Sequence, residues 1–104
     1  MKGGDVMEFI VEPDRIIHRD AQNEIDAELV YSTIEDGKVW SIDSTNVSPE
    51  LRGQGIAGMM LSQVVQMAKR EHKLIRPVCS YAKKKFFMNP EYQKIEWHDG
   101  MPFS

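Results

Sequence analysis

From residue 53 to about residue 72, apolar side chains fall at Ile56, Ala57, Met60, Leu61, Val64, Val65 and Ala68, with Gln54, Ser62, Gln63, Gln66, Lys69 and Arg70 between them. Spacings of three, four, seven and eight put the apolar set on one stripe of an α-helix. At ~1.5 Å per residue such a helix runs about 30 Å, enough to cross a sheet. Upstream the period changes. Residues 24–34 alternate, with Ile25, Ala27, Leu29, Tyr31 and Thr33 on one face of a strand, and residues 38–47 carry Val39, Trp40 and Ile42 as its partner. Between them Glu35-Asp36-Gly37 supplies an Asp-Gly hairpin signal.

Residues 7–12 and 15–18 are β-prone and flank the turn dipeptide Pro13-Asp14, which predicts a first hairpin. Pro49 stops strand pairing. Residues 74–79 form a short strand whose Pro77 cannot donate to a ladder, so it is splayed or at an edge. A second, shorter helix over 80–88 is stopped by Asn89-Pro90, and a last turn runs through Tyr92 to Ile95. The order is β-β-β-β-α-β-α: an α+β domain with a mostly antiparallel, mixed sheet and a long helix after the fourth strand.

Length and charge narrow the function classes. At 104 residues the chain is one domain, with residues 1–6 expected as a flexible tail. No apolar run reaches the roughly 20 residues of a membrane span, and the start lacks a signal-like apolar segment, so a cytoplasmic or nuclear protein is expected. The single cysteine, Cys79, permits no internal disulfide and has no ligand neighbours at metal-site spacing, so no metal is expected. A net charge of −3 argues against nucleic acid, although Lys69, Arg70, Lys73, Arg76 and Lys83-Lys84-Lys85 crowd the second half. That asymmetry suits a small anionic ligand.

The chemistry concentrates at Arg52-Gly53-Gln54-Gly55-Ile56-Ala57, where a strand hands over to the long helix. The first N–H groups of a helix lack intrahelical partners, the dipole is positive there, and glycine clears the approach. Backbone N–H groups of Gln54, Gly55, Ile56 and Ala57 would bond pyrophosphate oxygens. Gly-x-Gly also serves simply to start helices, and Arg52 has a choice between phosphate and Glu50.

This stretch resembles the acetyl-CoA-binding core of the GCN5-related N-acetyltransferase family, whose signature Gln/Arg-x-x-Gly-x-Gly/Ala is filled by Arg52 to Ala57. The flanks, from Asp43 to the motif and then Pro77-Val-Cys79-Ser80 and Pro90-Glu91-Tyr92, are similar to a subgroup of very short acetyltransferase-like proteins. Ser44 stands where that subgroup has a histidine, and Lys85 where it often has an aromatic residue. The resemblance implies acetyl-CoA or coenzyme A as ligand, held by Val47, Arg52, Gly53, Gln54, Gly55, Ile56, Ala57, Ser80, Lys84 and Tyr92. It also implies a V-shaped slot between the strands ending at Val47 and Cys79, with a backbone N–H near Asn46, Val47 or Ser48 meeting the acyl oxygen.

Two side chains are candidates for catalysis. Cys79, ahead of a helix N-terminus, is either a nucleophile or proton donor, or a small buried hydrophobe. Asp43 is either a general base or a hydrogen-bonded strand residue. One lysine of the Lys83-Lys84-Lys85 run, Lys84, is assigned to the adenosine 3′-phosphate, the alternative being a solvated face. Tyr92 packs on adenine or caps the core. His18, His72 and His98 are scattered and take no catalytic assignment. The expected function is acetyl transfer to an amine, of a protein or peptide, across an open acceptor site; the alternative is a non-catalytic CoA-binding module or sensor.

Overall fold

The structure is a computed structural model that describes residues 8–103; the tail expected at residues 1–6 lies outside the described residues. Strands β1 (Ile10–Glu12), β2 (Arg15–Arg19), β3 (Ile25–Ile34), β4 (Val39–Val47) and β5 (Leu74–Pro77) form one sheet in sequential order. The first four pair antiparallel, and β5 joins β4 in parallel after the crossover through α1 (Ile56–Arg70). Two shorter helices, α2 (Ser80–Met88) and α3 (Pro90–Gln93), follow.

The long helix begins three residues later than its hydrophobic pattern predicts, at Ile56. Gly53 and Gly55 adopt φ of +82° and +76°, which a right-handed helix cannot accommodate. At the far end His72 takes φ +59° and closes the helix. Between these stops Ile56, Met60, Leu61, Val64, Val65 and Ala68 are buried against Ala27, Leu29 and Tyr31 of β3, Trp40 and Ile42 of β4, and Ile75 of β5. Each of the aliphatic side chains larger than alanine contributes about 1.5–3 kcal/mol on burial, so this face holds helix and sheet together. Ile25 and Thr33, placed by alternation on the same face of β3, lie beyond the helix and are exposed.

The β3–β4 pairing slips by one residue. Val30 opposes Ser44 while Tyr31 opposes Ile42, so Asp43 is the extra residue of a β-bulge. The ladder between β4 and β5 ends at Ile42 and Pro77. Pro77 has no N–H to continue it, and the amides of Val78 and Cys79 both turn onto the Ile42 carbonyl at 3.1 Å. Residues 43–47 of β4 therefore run on without β5 beside them. The outer side of β5 is covered by the chain after α3: Ile75 N–H donates to Ile95 O and Trp97 N–H to Ile75 O, both at 2.7 Å. Trp40 and Trp97 are both buried.

Candidate active site

Between β4 and α1 the backbone makes a 3₁₀ turn at Pro49–Leu51, extends through Arg52, and then passes through the two left-handed glycines. A Cβ on Gly53 or Gly55 would meet no atom within 4 Å. Their demand is conformational, since left-handed backbone is freely available only to glycine. Gly55 is the N-cap of α1 and offers no side-chain acceptor, which leaves the first-turn N–H groups for an external partner. These residues open on a cavity of about 200 Å³, lined by Val47, Leu51, Arg52, Gly53, Gly55, Ile56, Ala57, Gly58 and Tyr81. Arg52 donates to the Val47 carbonyl at 3.3 Å and forms no pair with Glu50 among the described residues. Glu50 is instead held below the usual carboxylate range by its own backbone N–H and the Ser48 hydroxyl.

Cys79 stands where β4 and β5 have parted. It is half-buried and caps α2, its Sγ accepting from Ala82 N–H at 3.4 Å, and the same sulfur lies 3.5 Å from Thr45 Oγ1. Thr45 pairs with Leu29, which puts this contact on the α1 side of the sheet. Asp43 points to the other side. Its exposed carboxylate accepts from Ser32 Oγ and Ser41 Oγ, both at 2.7 Å, and those serines form a pair facing away from Tyr31 and Ile42. Ser41 is fully buried, and its oxygen also accepts from Arg76 Nη2 at 3.3 Å. The two catalytic candidates thus flank β4 and do not bond each other.

A second cavity of about 410 Å³ opens between α1 and the α2–α3 corner, lined by Gly58, Leu61, Lys85, Met88, Asn89, Pro90 and Tyr92. Asn89 builds the corner by capping α3, accepting from Glu91 and Tyr92 N–H.

Residues 15–95 match the family profile of the GCN5-related N-acetyltransferases. The chain belongs to this family. Among solved acetyltransferase structures it resembles a GCN5-like protein of Staphylococcus aureus solved by NMR, with 27% identity, a TM-score of 0.74, and 95% of this chain and 99% of that chain covered. A GNAT-family acetyltransferase from Elizabethkingia anophelis, with acetyl-CoA bound, shares the fold at 21% identity and a TM-score of 0.54, over 77% of this chain and 50% of that one. N-acetylglutamate synthase from Neisseria gonorrhoeae, complexed with coenzyme A and N-acetyl-glutamate, does so at 13% identity and 0.59, over 72% and 18%. No functionally curated protein matches the chain.

Within this acetyltransferase domain, Val47, Arg52, Gly53, Gly55, Ile56 and Ala57 line one cavity, and Tyr92 lines the next. Gln54 lies in the same turn, its side chain donating to the Glu50 carbonyl at 3.3 Å. Ser80 and Lys84 are exposed on α2 and line neither cavity; from the lysine run, Lys85 borders the second and sits 5.7 Å over the Tyr81 ring. Sequence reasoning missed Tyr81. A Cβ on Gly58 would stand 3.2 Å from its hydroxyl, so the ring leans over the first turn of α1, and burial raises its pKa above 10.0. Its signal was its place in the first turn of α2, two residues after Cys79. Among the described residues there is no cluster of three metal-ligating side chains, and no helix long and apolar enough to cross a membrane.

Proposed function

We propose that this chain binds acetyl-CoA and transfers its acetyl group to an amine. One observation carries the reading: the β4–β5 ladder ends at Ile42 and Pro77, and β4 then leads into a turn whose left-handed glycines leave helix N–H groups for an external partner, which supports a slot leading to an anion cradle. Backbone N–H groups from Gly53 to Ala57 would hold pyrophosphate, with Arg52 beside them. Val47 would line the slot. Tyr92 and Ser80 would contact the remainder of the cofactor and Lys84 its 3′-phosphate. Bound there, acetyl-CoA supplies an activated thioester acyl group.

The chain's own residues then need only move protons. An amine acceptor arrives largely as ammonium and must lose a proton before it attacks. Asp43 is fixed by two serine hydroxyls yet exposed on the face away from α1, the posture of a general base. Tyr81 lines the cavity beside the glycine turn, and burial moves its pKa further above 10.0, so its phenol would serve as the proton donor to a leaving thiolate.

Thermal melting against acetyl-CoA, CoA and 3′-dephospho-CoA tests the ligand. At 100 times its Kd a ligand stabilises by about 2.7 kcal/mol, a rise of about 10 °C or more for a domain of this size. No shift with any of the three would sink the cofactor claim. A shift without transfer to any amine would favour the non-catalytic module.

A further inference from the structure

Around the end of β5, where Arg76 emerges on the face of the sheet that bears Asp43, lies a cavity of about 350 Å³ lined by Arg76, Pro77, Val78, Lys83, His98 and Asp99. We infer that it reads a carboxylate on the acceptor, so that this protein acetylates amines that carry an acidic group. The inference rests on the acetyl-transfer reading above. Its starting point is Arg76, which lies on β5 between the buried Ile75 and Pro77 and so emerges on the side away from α1. The guanidinium is positioned from two directions, with Nη1 on Asp99 at 2.7 Å and Nε and Nη2 on Ser41 Oγ at 3.4 and 3.3 Å. Five N–H donors exceed what those two acceptors take up.

The charge balance favours an anion. Asp99 is the counter-charge to Arg76 within the lining, and His98 Nε2 lies 2.8 Å from Glu96 Oε2. Lys83 makes no ion pair among the described residues, so the cavity carries one positive charge in excess. Asp99 is 77% exposed, which makes its pair with Arg76 a weak one that an incoming carboxylate can displace. In a chain of net charge −3 this is a local choice of sign.

Geometry ties the cavity to the proposed base. Ser41 Oγ donates to Asp43 and accepts from Arg76, so a single oxygen separates the group that would take the amine proton from the group that would hold the carboxylate. An acceptor spanning both has its amine and its acid within one small molecule or one peptide residue. The required chemistry is therefore an amine with a nearby carboxylate, from a free amino acid or from an acidic N-terminal residue of a peptide.

Two measurements on the full chain decide it. Succinate should shift the backbone NMR signals of Lys83, His98 and Asp99 saturably, less so at high salt, whereas succinamide should not; Lys83→Gln should abolish the response. In transfer assays β-alanine should show a KM about tenfold below that of propylamine, the worth of one charge-assisted hydrogen bond, and Lys83→Gln and Arg76→Gln should draw the two together. Comparison of a peptide beginning with Asp with its Asn counterpart distinguishes an acidic peptide from a free acid. Equal responses to succinate and succinamide, or equal KM values, overturn the inference. Succinate binding without transfer to any amine leaves the anion pocket standing and removes the acetyl-transfer reading instead.

Discussion

Thr45 Oγ1 stands 3.5 Å from Cys79 Sγ, a hydroxyl–thiol contact between two stretches of backbone that have already separated at Ile42 and Pro77. The contact bridges the two stretches and holds the sulfur that also caps α2.

Cys79→Ser retains an acceptor for the Ala82 N–H, whereas Cys79→Ala leaves that helix end uncapped. Urea denaturation should therefore show a loss of about 1 kcal/mol for alanine and much less for serine. The serine variant also tests the chemistry. Transfer lost with acetyl-CoA binding kept marks the thiol as a reacting group, and retained transfer reduces it to a helix cap.

Gly55→Ala forces a side chain into φ +76° but meets no neighbouring atom. We expect a fold that survives with about 1–2 kcal/mol less stability, by thermal denaturation, and the melting shift with acetyl-CoA greatly reduced. A shift equal to that of the unmodified chain would make the glycine merely a helix starter.

Burial raises the pKa of both Tyr81 and Tyr31 above the ordinary value of 10.0. Protonation is favoured in the folded state, so the stability tied to these groups is complete below about pH 10 and is lost as pH rises through their folded values. Denaturation midpoints measured from pH 8 to 11 should fall at the alkaline end, and Tyr81→Phe should fall less. An identical alkaline decline in the variant would place the effect elsewhere.

Asp43→Asn keeps one acceptor oxygen for Ser41, lets its amide NH2 donate to a rotated Ser32 hydroxyl, and removes the base. Steady-state kinetics should show kcat/KM for an amine reduced about 10²- to 10⁴-fold, with acetyl-CoA binding unaltered. A variant that transfers at the original rate would return Asp43 to a structural part in the bulge.

Hydrophobic periodicity made α1 and the β3–β4 hairpin legible, because each follows from spacing within one segment, and the helical crossover between them and residues 74–79 implied that a last strand returns to a mixed sheet. The motif was legible for a related reason: Gly53 and Gly55 declare a left-handed backbone locally, and six of the residues assigned to the cofactor line the cavity beside them. What stayed hidden involved partners distant along the chain. Alternation gave no sign that Asp43 would be squeezed out between Val30 and Tyr31, since a bulge is a property of two strands in register. The leaning of Tyr81 over Gly58 depends on how α2 packs against α1.

The amino-acid sequence by itself determined the glycine turn that opens α1, for a helix N-terminus preceded by glycines needs no distant contact to expose its N–H groups. Only the tertiary structure decided which side of the sheet each candidate side chain would face. The bulge and the early end of the β4–β5 ladder set Asp43 with Ser41 and Arg76 on one side, and Cys79 with Thr45 on the other. A one-residue slip reverses every later side chain on a strand, and where that slip falls is settled by cross-strand pairing alone.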